Sequence, residues 1–519
     1  MPKRAHKSLI FVGVPLLLCA SFIKLGIRPW SSALVKVLPD GRLIYHPDKQ
    51  GNILPDFSRV GYMQGDVEPP EVPVVKTIEA VKDGSSQAVI QNAINEVSNY
   101  PLDKNGFRGA ILLKRGVYKI EGTIQIHTSG IILHGEGEGK SGTRLIATGT
   151  MQRSLINVSG TGSLREIKKS QVKITDQLVP VGSKSFRVAS AEHFKKGDSV
   201  IVFRPGTANW IHDLKMDQII ERKGTLQWSP GQYDLAFERI ITNVAGNRVF
   251  LDNPIVMEME SKYGGGSIMS YHYPGRIEKV GIENLYCGST YTSDTAENHG
   301  WIAIRMDKVK NSWVRRVTSQ YFGYACVSLG YGARNISVLH SNCLDAKSVI
   351  TGGRRYSFAN DGQMNLFMDC HSTEGRHDYV TGARVCGPNV FYNCTANNTH
   401  ADIGPHHRWA TGTLYDNIKT MGEINVQDRG NWGSGHGWSG VTQILWNCSA
   451  KAAVVQDPWV SGHNYCIGLQ GSIGKARFPQ RDQGIWEGQN RKSLQPASLY
   501  IAQLKQRLEG HPEHGQKNK

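Results

Sequence analysis

Short runs of β-branched and aromatic residues, parted by glycine and asparagine, dominate the hydrophobic pattern. Ala110–Leu113, Val117–Ile120, Ile124–Ile126, Ile131–Leu133, Leu145–Ile146 and Leu155–Val158 read as short strands. Ahead of them, Val89, Ile90, Ala93, Ile94 and Val97 recur at helical spacing behind Asp83-Gly84-Ser85-Ser86, which offers an N-cap. The strand rhythm resumes near Arg276-Ile277 and runs through Val280–Cys287, Ile302–Val309, Val314–Ser319, Ile336–His340, Leu366–Cys370, Val390–Cys394 and Thr442–Cys448. Residues 165–275 break it. There Val172–Val188, Asp198–Arg204 and Ile240–Leu251 predict an antiparallel excursion, with Trp210–Arg239 as a long loop or helical lobe.

A repeat organises these strands. Asn365-Leu366-Phe367-Met368-Asp369-Cys370 resembles Asn389-Val390-Phe391-Tyr392-Asn393-Cys394, displaced by 24 residues, and Asn311 to Asn335 and Ser319 to Cys343 keep the same step. A fixed period of this size marks a solenoid, and the composition makes its coils β. Stacked coils bring equivalent residues to about 4.8 Å, so Cys370 and Cys394 should form rungs of an interior ladder. The step from Cys394 to Cys448 is 54 residues, more than two periods, so an elaborated loop must lie between them.

The expected organisation is a signal peptide or signal anchor at 1–26, then a proline-rich extended lead-in at 27–75. N-terminal coils with a cap helix occupy 76–164, the excursion 165–275, the main coils 276–490 and a tail 491–519, fraying from 505. The first segment has Lys3, Arg4 and Lys7 before an apolar run, Leu9–Ile23, that is short for a membrane span and contains Pro15. Membrane association is expected only if that segment stays uncleaved. The formal net charge is +16, and losing Lys3, Arg4, Lys7 and Lys24 with the segment leaves +12. Such a charge favours a polyanionic partner. With glycine at 57 of 519 residues, helical bundles are disfavoured. Gly139-Lys140-Ser141 imitates a phosphate loop, but His134 stands where that motif needs glycine.

Asp83-Gly84-Ser85-Ser86 with Ile90-Gln91-Asn92-Ala93-Ile94, Gly116-Val117-Tyr118-Lys119-Ile120 and Ile132-Leu133-His134-Gly135-Glu136-Gly137 resemble the opening of the pectate-lyase-like right-handed parallel β-helix superfamily. The likeness covers about residues 75–160 by motif and 276–470 by rhythm. It implies an all-β right-handed parallel β-helix with an N-terminal capping helix and an inserted antiparallel excursion. It also implies an exported protein, secreted, periplasmic or on the cell surface, that acts on polysaccharide. Some members use calcium, which stays open as an ion here, though no cofactor is required. Nucleic acid is not an expected partner, because the basic residues form no run.

Histidine marks the candidate chemistry. Residues 371–407 hold five of the 18 histidines, where even spacing would give about 1.3, and His436 follows. The 24-residue step stacks Arg376 on His400 and Asp378 on Asp402, and Arg354, Arg355 and Tyr356 come from the preceding coil. Cleaving a uronate polymer by β-elimination needs a cation on the carboxylate, a base for the C5 proton and an acid for the leaving oxygen. Arg354, Arg355, Arg376 and Arg408 suit the first role, His377, His406 and His407 the second, and Tyr356 the third. Asp378 and Asp402 are expected to orient a histidine, and Arg376, His400, Arg429 and His436 to bind substrate. Trp409, Trp432 and Trp438 offer faces for sugar rings. The rival reading is a glycoside hydrolase using Asp378, Asp402 and Asp428, which needs paired carboxylates about 5–9.5 Å apart. A further alternative is a non-catalytic carbohydrate-binding or adhesion protein. Zinc is weighed at His377, Asp378, His400 and Asp402, whose donor types transition metals accept.

Overall fold

A computed structural model describes residues 28–510. The expected signal segment, 1–26, and the last residues of the tail, 511–519, lie outside the described residues. The chain folds as a right-handed parallel β-helix in which 29 strands join into one continuous assembly. Gly109–Leu113, Gly116–Ile120 and Ile124–Ile126 form one coil. They pair in parallel with Ile131–Gly135, Thr143–Ala147 and Arg153–Ser159 of the next. Val74–Ile78 opens the ladder against Gly109–Leu113. Helix α1, Gln87–Val97, buries Ile90, Ala93, Ile94 and Val97 over that end, as the helical spacing predicts. Its start differs in one detail: Ser85, not Ser86, takes the free amide of Gln87, at 3.3 Å.

The interior is filled by rungs of like residues. Phe367 stacks on Phe391 at 4.7 Å and Phe391 on Tyr415 at 5.4 Å. Cys370 and Cys394 are buried in this core, and all eight cysteines of the described residues are free. They act as small interior hydrophobes. The 24-residue step holds where Leu366 pairs with Val390 and Asn389 with Thr413. Elsewhere coils differ in length. Phe358 pairs with Tyr379, a step of 21, and Ala410 with Gly440, a step of 30. The longer coil is the elaboration expected between Cys394 and Cys448, and its extra residues form the loop at 427–439.

The excursion is spliced in without breaking the ladder. Arg153–Ser159 pairs directly with Gly300–Asp307, and Ile131–Gly135 with Gly281–Ser289. Ser199–Arg204 lies antiparallel between Leu235–Ala245 and Ser267–His272. The expected loop or helical lobe holds a short helix α2, Ala208–Asp213, and already becomes strand at Leu235. A buried ion cluster ties this unit to the coils. Glu238 accepts from Tyr271 Oη at 2.6 Å and from Arg276 Nη1 and Nη2 at 2.6 and 3.0 Å, with Arg334 Nη1 at 3.4 Å. Burial pushes the Glu238 carboxyl up, but Arg276 and Arg334 overcome this and hold it at about 2.

The lead-in and tail cover one outer wall. Val35, Leu43, Leu54, Phe57 and Val60 pack on Leu339, Leu366, Val390, Leu414 and Ile444, together with Leu499 and Tyr500. Trp30–Ser31 pairs in parallel with Leu494–Gln495. The tail therefore does not fray from 505. Residues 499–508 form helix α3, whose buried face includes Gln503 and Gln506. These amides bond lead-in backbone: Gln503 Nε2 donates to Pro55 O at 2.8 Å and Gln506 Oε1 accepts from Leu43 N at 2.7 Å. A polar residue buried on a helix face breaks the apolar period that announces a helix, which is why the pattern missed it.

Glu238→Ala should leave Arg276 buried without its anion and Arg334 with only Asp252, 3.8 Å away, and cost about 3–5 kcal/mol, read as a lower denaturant midpoint at neutral pH. The folded carboxyl at about 2 lies below its ordinary 4.5, so this stabilisation is complete above about pH 4.5 and is lost as pH falls towards 2. The gap between wild type and variant should therefore narrow when unfolding is repeated near pH 3.

Candidate active site

Turns flanking three stacked strands build the site. Phe358–Asn360, Tyr379–Thr381 and Asp402–Pro405 follow one another up one wall. Tyr356 precedes the first, His377 precedes the second, and His406 and His407 follow the third. Backbone bonds clamp these turns: the amides of Arg376 and His377 both donate to Arg355 O, at 2.7 and 3.1 Å, and His406 N donates to Thr381 O at 2.8 Å. The long-coil loop at 427–439 adds Arg429, Trp432 and His436. Gly433 lets this loop close tightly, at φ 54°, where a Cβ would meet the His436 ring at 2.0 Å. The excursion buttresses the loop from outside. Arg222 Nη2 donates to Gly433 O at 2.9 Å and Asn431 Nδ2 to Ile220 O at 3.0 Å.

These elements enclose a cleft of about 710 Å³. Tyr356, His377 and His406 form a closed triangle, with ring centroids 4.9, 4.5 and 5.3 Å apart. Tyr356 Oη and His406 Nε2 share a hydrogen bond of 3.0 Å. His407 and His436 continue the patch, each 5.0 Å from His406. His377 Nδ1 lies 2.8 Å from Asp402 O, a carbonyl that can only accept, so Nδ1 carries the proton. The neutral ring therefore keeps its lone pair on Nε2, which is buried and has no partner. His406 Nδ1, His407 Nδ1 and His436 Nδ1 are likewise buried without partners.

The field of the site keeps the imidazoles neutral. Burial, with Arg429 and Arg376 adding to it and Asp402 opposing, lowers His377 to about 4. Burial and then the Arg429 and Arg408 charges take His436 to about 4, and burial with His436 and Arg408 takes His407 to about 3. His406 is pushed far down by burial and by His377 and Arg429. Asp402 stays ionised: burial raises it, but its ion pair with Arg429 and the nearby His377 more than reverse this. Burial raises the Tyr356 phenol, against the pull of Arg376.

Of the expected site residues, Tyr356, Arg376, His377, Asp402, His406, His407, Arg429 and His436 line the cleft. The others are placed elsewhere. Arg376 and His400 do sit on adjacent turns, joined where His400 N donates to Gly375 O at 2.9 Å. The His400 ring, however, turns to Glu374, 2.7 Å away. Asp378 does not pair with Asp402 in the cleft. It is 1% exposed, accepts from Ser357 Oγ at 2.8 Å, and is raised to about 6 by burial against the Ser372 and Ser357 bonds. Asp428 is buried against Arg481 at 3.0 Å. Arg354 is held by Glu297 at 2.6 and 2.8 Å, and Arg355 is buried with its guanidinium on Ser348 O at 2.6 Å. Arg408 sits behind the cleft on Ser434 O and Oγ, at 3.0 and 2.7 Å.

Trp409 and Trp438 offer no face to sugar. Both are fully buried, Trp409 edge-on to Trp210 at 5.0 Å and Trp438 edge-on to Trp459 at 5.5 Å. Trp432, 37% exposed, is the tryptophan that lines the cleft. The pattern missed Arg477, whose guanidinium lies 4.6 Å over Trp432; it comes from a later loop, outside the repeat. Among the described residues no three His, Cys, Asp or Glu side chains are arranged to hold a metal ion. Asp402 already has Arg429 as its counter-ion.

No family model matches the chain, and no curated protein matches it. Solved structures do. The tailspike protein gp49 from Pseudomonas phage LKA1 is 14% identical with a TM-score of 0.43, over 74% of this chain and 56% of that one. An alginate lyase from Paenibacillus sp. str. FPU-7 is 10% identical with a TM-score of 0.38, over 80% and 99%. A DFA-IIIase from Arthrobacter chlorophenolicus A6 is 9% identical with a TM-score of 0.35, over 76% and 82%. The chain spans little more than half of the tailspike's length. At these identities the question of activity rests on the cleft itself.

Proposed function

We propose that this protein is an exported carbohydrate-active enzyme, a polysaccharide lyase that cleaves an anionic, uronate-containing polysaccharide by β-elimination in the histidine cleft. The observation behind this reading is the triangle of Tyr356, His377 and His406 beside Arg376. Arg376 meets the uronate carboxylate and withdraws charge from C5, which eases loss of the C5 proton. His377 Nε2 takes that proton, its tautomer set by the Nδ1 bond to Asp402 O. Tyr356 gives its phenol proton to the leaving oxygen, and His406 holds the phenol in place at 3.0 Å. His407 and His436 line the cleft beside the triangle and are left to contact the sugar, and Trp432 to stack on a ring. The formal charge of +16 suits such a substrate.

The carboxylate-pair hydrolase is less well supported. Of Asp378, Asp402 and Asp428, Asp402 alone lines the cleft, and Arg429 neutralises it. An acid there would have to be protonated, yet Asp402 lies below the usual carboxylate range.

Incubation with acidic polysaccharides should raise ultraviolet absorbance from an unsaturated uronate. Reducing ends without absorbance would favour hydrolysis, and binding without either product would favour an adhesion protein. Tyr356→Phe and His377→Ala should each lower kcat by ~10²–10⁴ if they move protons, whereas Trp409→Phe, away from the cleft, should leave kcat within a few-fold.

The pH profile provides a separate check. His377 acts in its neutral form, and lowering the pH removes that form only near its value of about 4. Turnover per unit KM should stay level as pH falls from 7 to about 5, then drop through pH 4. An acid limb centred near 6.5, the ordinary value for histidine, would remove His377 as the base.

A further inference from the structure

The arrangement of the triangle limits which uronates could react, given the elimination reading above, on which this inference rests. The rings of Tyr356 and His377 stand edge to face with centroids 4.9 Å apart, and His406 touches both. Rings in contact leave no space for a pyranose between them. Base and acid must therefore approach the sugar from one face. The remaining lining residues reinforce this. The other two imidazoles of the lining, His407 and His436, each lie 5.0 Å from His406 and so extend the same patch, Asp402 is paired with Arg429, and Gly352, Gly353, Ala401, Trp432, Gly433 and Ser434 carry no imidazole, carboxyl or phenol. An anti elimination would place its base and acid on opposite sides of the ring, each within about 3 Å of its reacting atom, hence roughly 6 Å apart across the sugar.

We infer that the cleft is built for syn elimination, and so for polymers of D-mannuronate or D-glucuronate linked through O4. In those sugars H5 and O4 lie on the same face of the ring. In L-guluronate, L-iduronate and D-galacturonate they lie on opposite faces. The step balances without a co-reactant. The C5–H bond breaks and its electron pair becomes the C4–C5 π bond, while the C4–O4 pair leaves on oxygen. The H5 proton goes to His377 Nε2 and the Tyr356 phenol proton goes to O4. Return of the proton within the triangle then restores neutral imidazole and phenol.

The test compares the wild-type protein on poly-D-mannuronate and a 4-linked D-glucuronate polymer with poly-L-guluronate and polygalacturonate, following unsaturated product. The expected result is product from at least one of the first pair and at least 100-fold slower formation from both of the second. Comparable or faster product from guluronate or galacturonate would overturn the syn assignment while leaving the lyase reading intact. No unsaturated product from any polymer, with or without new reducing ends, would overturn both. Tyr356→Phe adds a check that does not depend on the panel. With its circular dichroism and thermal midpoint unchanged, it should lose at least 100-fold on the preferred polymer. Retained turnover would remove Tyr356 as the acid and the same-face argument with it.

Discussion

Everything in this molecule depends on parallel backbone pairing held in register from coil to coil. The ladder spaces strands by about 4.8 Å and leaves no freedom in which residues become neighbours. Interior rungs must then be alike in size, and the chain complies with stacked phenylalanines and buried thiols. Variation is pushed into the turns, where a coil can be 21, 24 or 30 residues long without disturbing its neighbours. Chemistry accordingly collects there. Tyr356 and His377 come from turns that precede consecutive strands and His406 from the turn that follows the next one, and backbone bonds from Arg376, His377 and His406 hold these turns to their neighbours.

The same regularity explains how much could be read from the chain. The asparagine and cysteine steps of 24 gave the solenoid, the interior ladder and the clustering of the histidines. The step also put Arg376 next to His400, which the backbone bond at Gly375 O bears out. It could not say which way a side chain turns. Asp378 and Asp402 are 24 apart, yet one faces Ser357 in the interior and the other faces Arg429. Nor could it see a surface created by a distant segment. Trp409 and Trp438 look like sugar platforms on a bare coil, but the excursion lays Trp210 and Trp228 beside them and the four share one core. Arg477 and Gln503 were missed for a related reason, since their partners lie far away in sequence.

Electrostatically the cleft combines two demands that usually conflict. A basic surface would draw an anionic chain, but cations also disfavour protonated histidine, and here burial and the nearby cations together keep the imidazoles neutral. Burial is the larger cause at all four rings, with Arg429 contributing at each. The cost is visible in the unpartnered nitrogens of His377, His406, His407 and His436. Buried polar atoms without partners are uncommon in a settled fold and mark places where stability has been given up.

The excursion is then more than an ornament on the helix. It enters between two coils that remain paired, so its position is set by the ladder, and Glu238 fastens it there through Arg276 and Arg334. From that anchor it reaches the 427–439 loop, where Arg222 and Ile220 hold Gly433 and Asn431 and Met216 packs against Gly437. A loop this rich in glycine would lose much conformational entropy on closing by itself. Supported from outside, it can present Trp432 and His436 in one arrangement. The 427–439 wall of the cleft thus rests on the excursion, which the buried ion cluster and the core it shares with Trp409 and Trp438 both hold against the coils.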